Sequence, residues 1–366
     1  MTATKHTMHK KIKIGIVGTG SMANTHAENF AKIADVELTA CLDVLPDRAA
    51  TFAQKHGFKR VAKSLDELVE QVDTVSVVTP DRFHAESSIA VLRAKRHLLC
   101  EKPLTVTLDE ARKVAVAAEK ATRQGVIHMV NFSYRYSGAF LKAIDLVAAG
   151  KLGALRHVHS SYLQSWLAAD MWGHWENERW LWRLQSNGGS GGVLADIGCH
   201  ILEMTTAVAG EVARVRCDLR TFAKITKDGK AVNEWQGKKL DANDTAVIEL
   251  EFAHGGIGLV HTTRWATGEK NHLRLTAHGT DGALRFDLDD DPHRIDLCLG
   301  PDKHTATWKP EKLTTPPSVF QRFIHAVRTG KPDQPDVLRG AQIQAYLDAC
   351  ARSAKSGKWE SVRAWK

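Results

Sequence analysis

Cysteine is scarce in this sequence, and its six copies are scattered without a Cys-x-x-Cys pair. A disulfide scaffold is therefore not expected, and unpaired, buried thiols suit a reducing cytosol. Long apolar runs are also missing, and the polar, basic start of the chain lacks the apolar core of a signal peptide. These absences predict a soluble, cytoplasmic protein that binds no membrane.

Charge of one sign is not concentrated anywhere either. The formal net charge is +8, yet Lys and Arg are spread along the whole chain, which argues against nucleic-acid binding. His157 and His159 alternate on one predicted strand, but their spacing matches no known set of metal ligands. We therefore expect neither nucleic acid nor a metal as a partner.

The length and the order of elements predict two domains. A chain of 366 residues exceeds the roughly 250 to 300 residues that one hydrophobic core supports, so two domains, 1–132 and 133–366, are expected around a ligand cleft. From Ile12, short β-rich runs alternate with amphipathic stretches, which predicts a doubly wound parallel sheet of the Rossmann type. After Asn131, strands follow one another, which predicts a second α/β domain with a large, open, mostly antiparallel sheet.

The apolar periodicity gives approximate bounds for these elements. In the first domain the predicted strands are 12–17, 36–43, 74–79, 97–100 and 126–130, and the predicted helices are 21–33, 46–56, 82–96 and 108–122. In the second domain the predicted strands are 155–163, 244–252, 256–265, 272–277 and 283–288, and the predicted helices are 139–149, 318–328 and 337–354.

A glycine-rich turn stands directly after the first predicted strand and opens the first helix. Its pattern, Gly18-x-Gly20-x-x-Ala23, is a dinucleotide fingerprint in the right context: one glycine permits the tight turn, the next lets a pyrophosphate approach, and alanine allows close helix packing. The phosphates would lie at the positive end of the helix. The candidate cofactor residues of this turn are Gly18, Thr19, Gly20, Ser21, Met22 and Ala23. The alternative is a strand-to-helix turn that binds nothing.

Asp43 ends the second predicted strand, about 20 residues after the turn, where an acid hydrogen-bonds the adenosine ribose. Its charge would repel a 2′-phosphate, so NAD is favoured over NADP. Arg48 lies close by and could accept that phosphate, which leaves NADP as the alternative.

Two further motifs carry polar groups suited to alcohol oxidation. Lys102, before Pro103 at the end of a strand, can stabilise a developing alkoxide; the alternative is a surface lysine before a turn. Asp196 and His200 are spaced by four on a predicted helix, which puts both on one face. A histidine can take the hydroxyl proton, although such a pair can also be a surface contact.

Taken together, these motifs resemble the Gfo/Idh/MocA family of glucose-fructose oxidoreductases, inositol dehydrogenases and related sugar dehydrogenases. The motifs that carry the resemblance span nearly the whole chain: Gly18-x-Gly20-x-x-Ala23, Thr79-Pro80 with His84, Glu101-Lys102-Pro103, Asn131-Phe132 with Tyr134-Arg135, and Gly191-Gly192 leading to Asp196-x-Gly198-x-His200.

The resemblance implies roles for individual residues. Lys102, Asp196 and His200 would form a catalytic triad at the nicotinamide, with His200 as the acid or base, Asp196 holding the substrate or His200, and Lys102 polarising the reacting oxygen. A cis bond at Lys102-Pro103 is also implied. Relatives are dimers or tetramers joined through their open sheets, so a homodimer or homotetramer is expected. The residues implied on the cofactor side are Thr79, Pro80, His84, Glu101 and Asn131.

Half of the ten tryptophans lie between Trp166 and Trp182. Their rings could stack on a sugar or inositol, while Gln164 and Arg183 offer hydrogen bonds to hydroxyls. Alternatively, these tryptophans form a local core or a subunit interface. The candidate substrate-binding residues are Lys102, Tyr134, Gln164, Trp166, Trp182, Arg183, Asp196 and His200, with Trp182 and Arg183 also placed beside the cofactor.

The expected activity is hydride transfer between NAD and a secondary alcohol or hemiacetal carbon of a sugar, a sugar derivative or an inositol. Two alternatives keep the same fold. One is a glycosidase that oxidises its substrate transiently with tightly held NAD, and the other is a non-catalytic, nucleotide-binding sugar sensor.

Overall fold

The computed structural model describes residues 11–186 and 191–366, so Gly188, Gly189 and Ser190 of the predicted glycine-rich loop lie outside the described residues. The described chain divides into two compact units. The first contains the residues up to Thr105 together with Arg112–Asn131 and Val319–Arg339, and the second contains Val106–Ala111, Phe132–Ser318 and Gly340–Lys366. Over the described residues, no helix combines the length and the apolar character needed to cross a bilayer.

The first part of the chain alternates strands and helices, as expected. Its elements are β1 (Ile12–Val17), α1 (Ser21–Ala31), β2 (Val36–Leu42), α2 (Pro46–His56), β3 (Arg60–Val61), α3 (Leu65–Gln71), β4 (Thr74–Val77), α4 (His84–Arg93), β5 (His97–Cys100), α5 (Leu108–Thr122) and β6 (His128–Val130). Sequence periodicity missed β3 and α3, although Ser64 and Glu67 form a recognisable helix start: the Ser64 hydroxyl accepts the Glu67 N–H at 3.1 Å.

Within the described residues the strands of the first unit form one parallel sheet in the order β3-β2-β1-β4-β5-β6. All four residues of β4 are buried, which explains why this strand is continuously apolar or small rather than alternating. The strand order reverses between β1 and β4, and ligands of such sheets bind beyond the carboxyl ends of the strands at that reversal. The predicted Rossmann sheet is confirmed, and the glycine turn follows β1 at this position.

The second part of the chain is richer in strands. Its elements are α6 (Gly138–Ala148), β7 (Leu155–Gln164), α7 (Glu178–Leu181), α8 (Cys199–Ala209), β8 (Val212–Arg220), β9 (Lys224–Ile225), β10 (Ala231–Val232), β11 (Glu234–Trp235), β12 (Lys238–Lys239), β13 (Thr245–Phe252), β14 (Ile257–Thr263), β15 (Asn271–Gly279), β16 (Gly282–Asp287), β17 (Arg294–Leu299), β18 (Lys309–Lys312), α9 (Val319–Thr329), α10 (Val337–Ser356) and β19 (Glu360–Ser361).

In the described part of the second unit, one large sheet has the order β18-β17-β16-β15-β7-β14-β13-β8-β19. Its neighbours pair antiparallel except β7 and β14, so the expectation of a mostly antiparallel sheet is confirmed. Residues alternate between buried and more exposed along β13. Helix α8 packs on the covered face, where the Thr205 and Ser160 hydroxyls lie 2.5 Å apart. This packing fixes the helix that carries His200.

Helix α9 belongs to the first unit, whereas the predicted division assigned all residues after 132 to the second domain. The apolar face of α9 explains the difference, because Phe320 and Phe323 are buried in the same core cluster as Ile14 and Phe30. The Phe320 ring contacts the rings of Phe30 and His26, with centroids 5.2 and 4.8 Å apart. The first unit is therefore built from three separate stretches of the chain, the last of which contains α9.

Candidate active site

The glycine turn has the geometry that a dinucleotide needs. Gly18 adopts φ +87°, and a Cβ atom there would lie 2.7 Å from the Val78 carbonyl oxygen, so neither the conformation nor the space admits another residue. A Cβ at Gly20 would meet no heavy atom within 4 Å, which leaves open space beside the backbone. Ala23 is fully buried, as close helix packing requires.

The start of α1 is suited to an anion. Gly20 is the N-cap residue, no side chain in the described residues caps the helix there, and the first turn has no acidic residue. The first N–H groups of a helix have no partner within the helix and carry its positive partial charge. The start of α1 therefore presents backbone donors, which fits a pyrophosphate.

The Asp43 carboxylate is hydrogen-bonded to neighbouring groups of the protein. Its carboxylate accepts the Thr19 N–H at 2.7 Å and the Thr19 hydroxyl at 2.8 Å, and it accepts the Arg48 guanidinium at 2.7 to 3.1 Å. Burial raises the pKa of Asp43, but hydrogen bonds from Arg48, Leu45 and Thr19 outweigh it and lower that pKa to about 2. Asp43 and Arg48, the two candidates for cofactor discrimination, are thus paired with each other.

The Glu101-Lys102-Pro103 turn is held from behind by a buried network, and its Lys102-Pro103 peptide is cis, as the resemblance implied. The Glu101 carboxylate accepts the His26 Nε2–H at 2.8 Å, the Asn131 amide at 2.6 Å and the Lys102 N–H at 3.2 Å. Burial raises the pKa of Glu101, but His26, Lys102 and Asn131 together lower it to about 2. Glu101 was expected to line the cofactor side; only 7% of it is exposed, and its contacts hold Lys102.

His84 also lies behind this edge of the sheet. It has no exposed surface, and its ring nitrogens lie 2.8 Å from the Thr79 and Pro103 carbonyl oxygens. The ring therefore ties the end of β4 to the Lys102 turn, and the cofactor-lining role implied by the resemblance stays a prediction. Burial lowers the pKa of His84, but Cys100, Asp81 and the Pro103 carbonyl raise it to about 10.

Two polar atoms at this edge of the sheet are buried without a hydrogen-bond partner among the described residues: Thr79 Oγ1 and Asn131 Oδ1. Such atoms are costly unless a ligand or water satisfies them. Thr79 follows β4 and Asn131 follows β6, so both stand where a doubly wound sheet binds its ligand. They are suited to the polar amide end of a nicotinamide.

In the second unit, Asp196 lies in a π-helical turn, Leu194–Gly198, that leads into α8. Such turns occur frequently at functional sites. Asp196 Oδ2 accepts Arg264 Nη2 at 2.9 Å, and Arg183 Nε lies 3.5 Å from the same oxygen. A Cβ at Gly192, before this turn, would lie 2.5 Å from the Asn243 side chain, so glycine is required there.

His200, one residue into α8, is 8% exposed and surrounded by aromatic rings. The rings of Tyr134, Phe132 and Tyr162 meet it edge-on, with centroids 5.0, 5.8 and 6.3 Å away. These three rings restrict the orientation of the His200 imidazole. Asp196 and His200 were predicted as a pair from their spacing, and the structure places them on the consecutive π and α turns.

A hydrogen-bonded network of four side chains adjoins His200. The Tyr134 and Tyr162 hydroxyls lie 2.6 Å apart, Tyr162 donates to Asn271 Oδ1 at 2.7 Å, and Asn271 Nδ2 donates to Tyr134 at 2.9 Å. Gln164 adds a bond to Asn271 Oδ1 at 2.8 Å. Burial and the neighbouring Tyr134 and Asp196 raise the pKa of Tyr162 well above its ordinary value, so it stays protonated.

Sequence analysis did not identify three residues that contact these side chains: Tyr162, Asn271 and Arg264. Tyr162 precedes the predicted Gln164 by two on β7, and the period of a strand could have revealed it. Asn271 pairs with Gln164 across strands, and that register has no local signal.

The tryptophans divide between core and surface. Trp166 and Trp175 are 6% and 1% exposed and belong to one apolar cluster, against which Trp172 and Trp180 pack. Trp166 therefore lies in a local core, as the alternative interpretation held. Trp182 is 39% exposed, and the Arg183 guanidinium lies 4.2 Å from the centre of its ring.

The first unit has the features of a pyridine-nucleotide domain, and the second contains an acid, a histidine and a network of phenols and amides. Comparison with known proteins agrees with this class. Residues 12–132 match the sequence profile of the GFO/IDH/MocA oxidoreductase family with its NAD-binding Rossmann fold, and residues 140–285 match the profile of the family's C-terminal domain. The chain belongs to this family and is an NAD-dependent oxidoreductase.

Individual relatives extend over most of the chain. Levoglucosan dehydrogenase of Pseudarthrobacter phenanthrenivorans is 28% identical, over 96% of this chain and 98% of the relative. Myo-inositol 2-dehydrogenase of Thermotoga maritima is 30% identical, over 75% of each chain. A solved structure of levoglucosan dehydrogenase with NADH and levoglucosan is 25% identical and superposes with a TM-score of 0.83, over 97% of this chain and all of that one.

Proposed function

We propose that this protein oxidises a secondary alcohol or hemiacetal carbon of a cyclic sugar, sugar derivative or inositol, with Lys102, Asp196 and His200 acting on the substrate. The observation that carries the proposal is the environment of His200, where aromatic rings adjoin the network of Tyr134, Tyr162, Asn271 and Gln164. Rings that pack on C–H faces beside groups that bind hydroxyls suit a polyol ring. The relatives named for levoglucosan and myo-inositol support the same substrate class.

Bound NAD supplies the hydride acceptor, the C4 atom of its nicotinamide ring. His200 takes the hydroxyl proton as the carbon–hydrogen bond breaks and the carbonyl forms, so the products are a ketone or lactone, NADH and a proton. Asp196, held by Arg264, accepts a substrate hydroxyl or orients His200. Lys102 donates to the reacting oxygen and stabilises its developing negative charge.

The test is NADH formation, followed by absorbance, with purified protein, NAD and a panel of levoglucosan, myo-inositol, hexoses, pentoses and uronates. At least one cyclic polyol should be oxidised, and His200→Ala should lower kcat at least about 100-fold. NADH affinity, measured by fluorescence titration, should be unchanged in that variant. A His200→Ala protein with normal turnover would contradict the proposal.

Other outcomes distinguish the alternative activities. Hydrolysis of aryl glycosides with no net NADH would identify a glycosidase that uses NAD transiently. Sugar binding without any turnover would identify a sensor.

Self-association is the second part of the proposal. The resemblance implies that copies join through the open sheet, and the exposed apolar side chains of Val247 and Ile257 lie on the uncovered face of β13 and β14 where such a partner would pack. The mass of the protein in solution, measured by light scattering, should be that of a dimer or tetramer. A monomer at micromolar concentration would refute this part alone.

A further inference from the structure

Arg264 is a fully buried arginine that directly follows β14. Its guanidinium donates from Nη2 to Asp196 Oδ2 at 2.9 Å and from Nη1 to the Arg183 carbonyl oxygen at 3.1 Å. Its backbone is held as well, since its N–H donates to the Asp244 carbonyl at 3.0 Å and its carbonyl accepts the Leu167 N–H at 3.1 Å. One rigid side chain therefore links two segments that carry proposed substrate residues.

The charges around Arg264 are arranged for this link. Removing a guanidinium from water is costly unless counter-charges compensate it, and Asp196 and Asp244 are the acids near it. Burial lowers the pKa of Arg264, and the nearby charge of Arg183 lowers it further. The carboxylates of Asp196 and Asp244 raise that pKa but offset only part of the effect of burial. Asp244 is itself paired with the fully buried Lys224 at 2.6 Å. Alternating charges thus run from Lys224 through Asp244 and Arg264 to the Asp196 carboxylate.

The two fixed donor directions of the guanidinium matter more for this link than its charge. Arg183 Nε lies 3.5 Å from the same Asp196 oxygen that Arg264 binds, so Arg264 fixes the Asp196 carboxylate and the Arg183 backbone relative to each other. A lysine offers a single point charge and cannot donate in two fixed directions. A purely stabilising ion pair would not need both acceptors to belong to the proposed substrate residues.

We propose that Arg264 is a positioning residue for the oxidation: it holds the Asp196 carboxylate and the Arg183 segment in the orientation that the bound substrate requires. This role rests on the proposed function of Asp196.

The test compares Arg264→Met, Arg264→Lys, Asp196→Asn and the double variant Arg264→Met/Asp196→Asn, using NAD and the best substrate of the panel. Arg264→Met should lower kcat about 100-fold, the cost of a misplaced reacting group, while NADH affinity stays within about twofold. Arg264→Lys keeps the charge and the fold but loses the two fixed donor directions, so kcat should fall roughly tenfold. This second variant remains decisive if Arg264→Met fails to fold.

The double variant separates positioning from stability. If Arg264 acts through Asp196, adding Arg264→Met to Asp196→Asn should lower kcat by less than about threefold more, a non-additivity that a general loss of stability does not produce. The matched control is Arg352→Met, because Arg352 also joins a carboxylate, Asp348, and a backbone carbonyl, that of Ser361, at 2.9 and 2.8 Å. The control should lower the melting temperature and leave kcat unchanged.

Additive losses in the double variant, or full activity of Arg264→Lys, would overturn the positioning role while leaving the proposed function intact. A wild-type protein that oxidises nothing in the panel would instead overturn the proposed function, and the positioning role with it.

Discussion

The glycine turn of the first unit offers backbone groups to a ligand, whereas the surroundings of His200 in the second unit offer side chains. At the glycine turn, the backbone conformation shapes the binding surface: Gly18 has a positive φ, Gly20 leaves open space, and the start of α1 supplies N–H groups. Around His200, the groups are a carboxylate, phenols and amides brought together from distant parts of the sequence. A Cβ at Gly18 has no room, while a site made of side chains tolerates the loss of single groups at a graded cost, and four predictions test this difference.

The largest effect is expected for Gly18→Ala. The positive φ costs roughly 1 to 2 kcal/mol with a Cβ, and the close contact with the Val78 carbonyl adds about 1 to 3 kcal/mol of overpacking. NADH affinity should fall about 100-fold or more, measured by fluorescence titration. Gly57→Ala is the control, because Gly57 has φ +74° but nothing within 4 Å of its Cβ position. It should lose stability alone; equal NADH affinity in the two variants would refute the steric explanation.

The next effect concerns acid stability at the Lys102 turn. The pKa of Glu101 in the folded protein is about 2, below its ordinary 4.5. Its contribution to the free energy of unfolding is therefore present above pH 4.5 and lost as the pH falls towards 2, and it amounts to roughly 3 kcal/mol. Glu101→Gln should flatten the decline in unfolding free energy between pH 5 and pH 2, measured with urea. The exposed Glu70→Gln should follow the wild-type curve; an equally steep decline in Glu101→Gln would contradict the assignment.

A smaller loss is expected for Asn271→Ala. The amide joins the Tyr134, Tyr162 and Gln164 side chains, and its removal costs about one to two hydrogen bonds, or roughly tenfold in kcat/KM for the polyol. NADH affinity should not change, since Asn271 is not among the residues expected beside the cofactor. Asn233→Ala, an exposed asparagine of the same unit, serves as the control. Unchanged kcat/KM in Asn271→Ala would remove this network from the substrate site.

The smallest effect should come from the Asp43–Arg48 pair. Arg48→Ala removes the charge that balances Asp43, so the preference for NAD over NADP should rise about threefold, and Asp43→Ala should relax it. Because Arg48 is half exposed, salt should weaken the effect. The ratio of kcat/KM values for the two cofactors measures it. A ratio that moves in the same direction in both variants would show that the pair does not set the preference.

This comparison also explains which parts were predictable from the sequence. The turn at Gly18, its acid at Asp43 and the alternation of strands and helices are local patterns, and the predicted fold is confirmed. The network at His200 depends on the register of β15 against β7 and on a residue just beyond β14, which no spacing in the sequence reveals. His84 and Glu101 were expected beside the cofactor, and their burial behind the sheet edge follows from packing that no local pattern predicts. The assignment of Lys102, Asp196 and His200 as a triad stays a prediction.

The return of α9 to the first unit has a consequence for synthesis of the chain. Phe320 and Phe323 complete a core whose other members, such as Ile14 and Phe30, leave the ribosome some 300 residues earlier. Until α9 emerges, the nascent nucleotide domain carries an uncovered apolar surface, the kind of intermediate that aggregates or engages chaperones. A premature stop before residue 319 would therefore damage the domain that lies farthest from it in sequence.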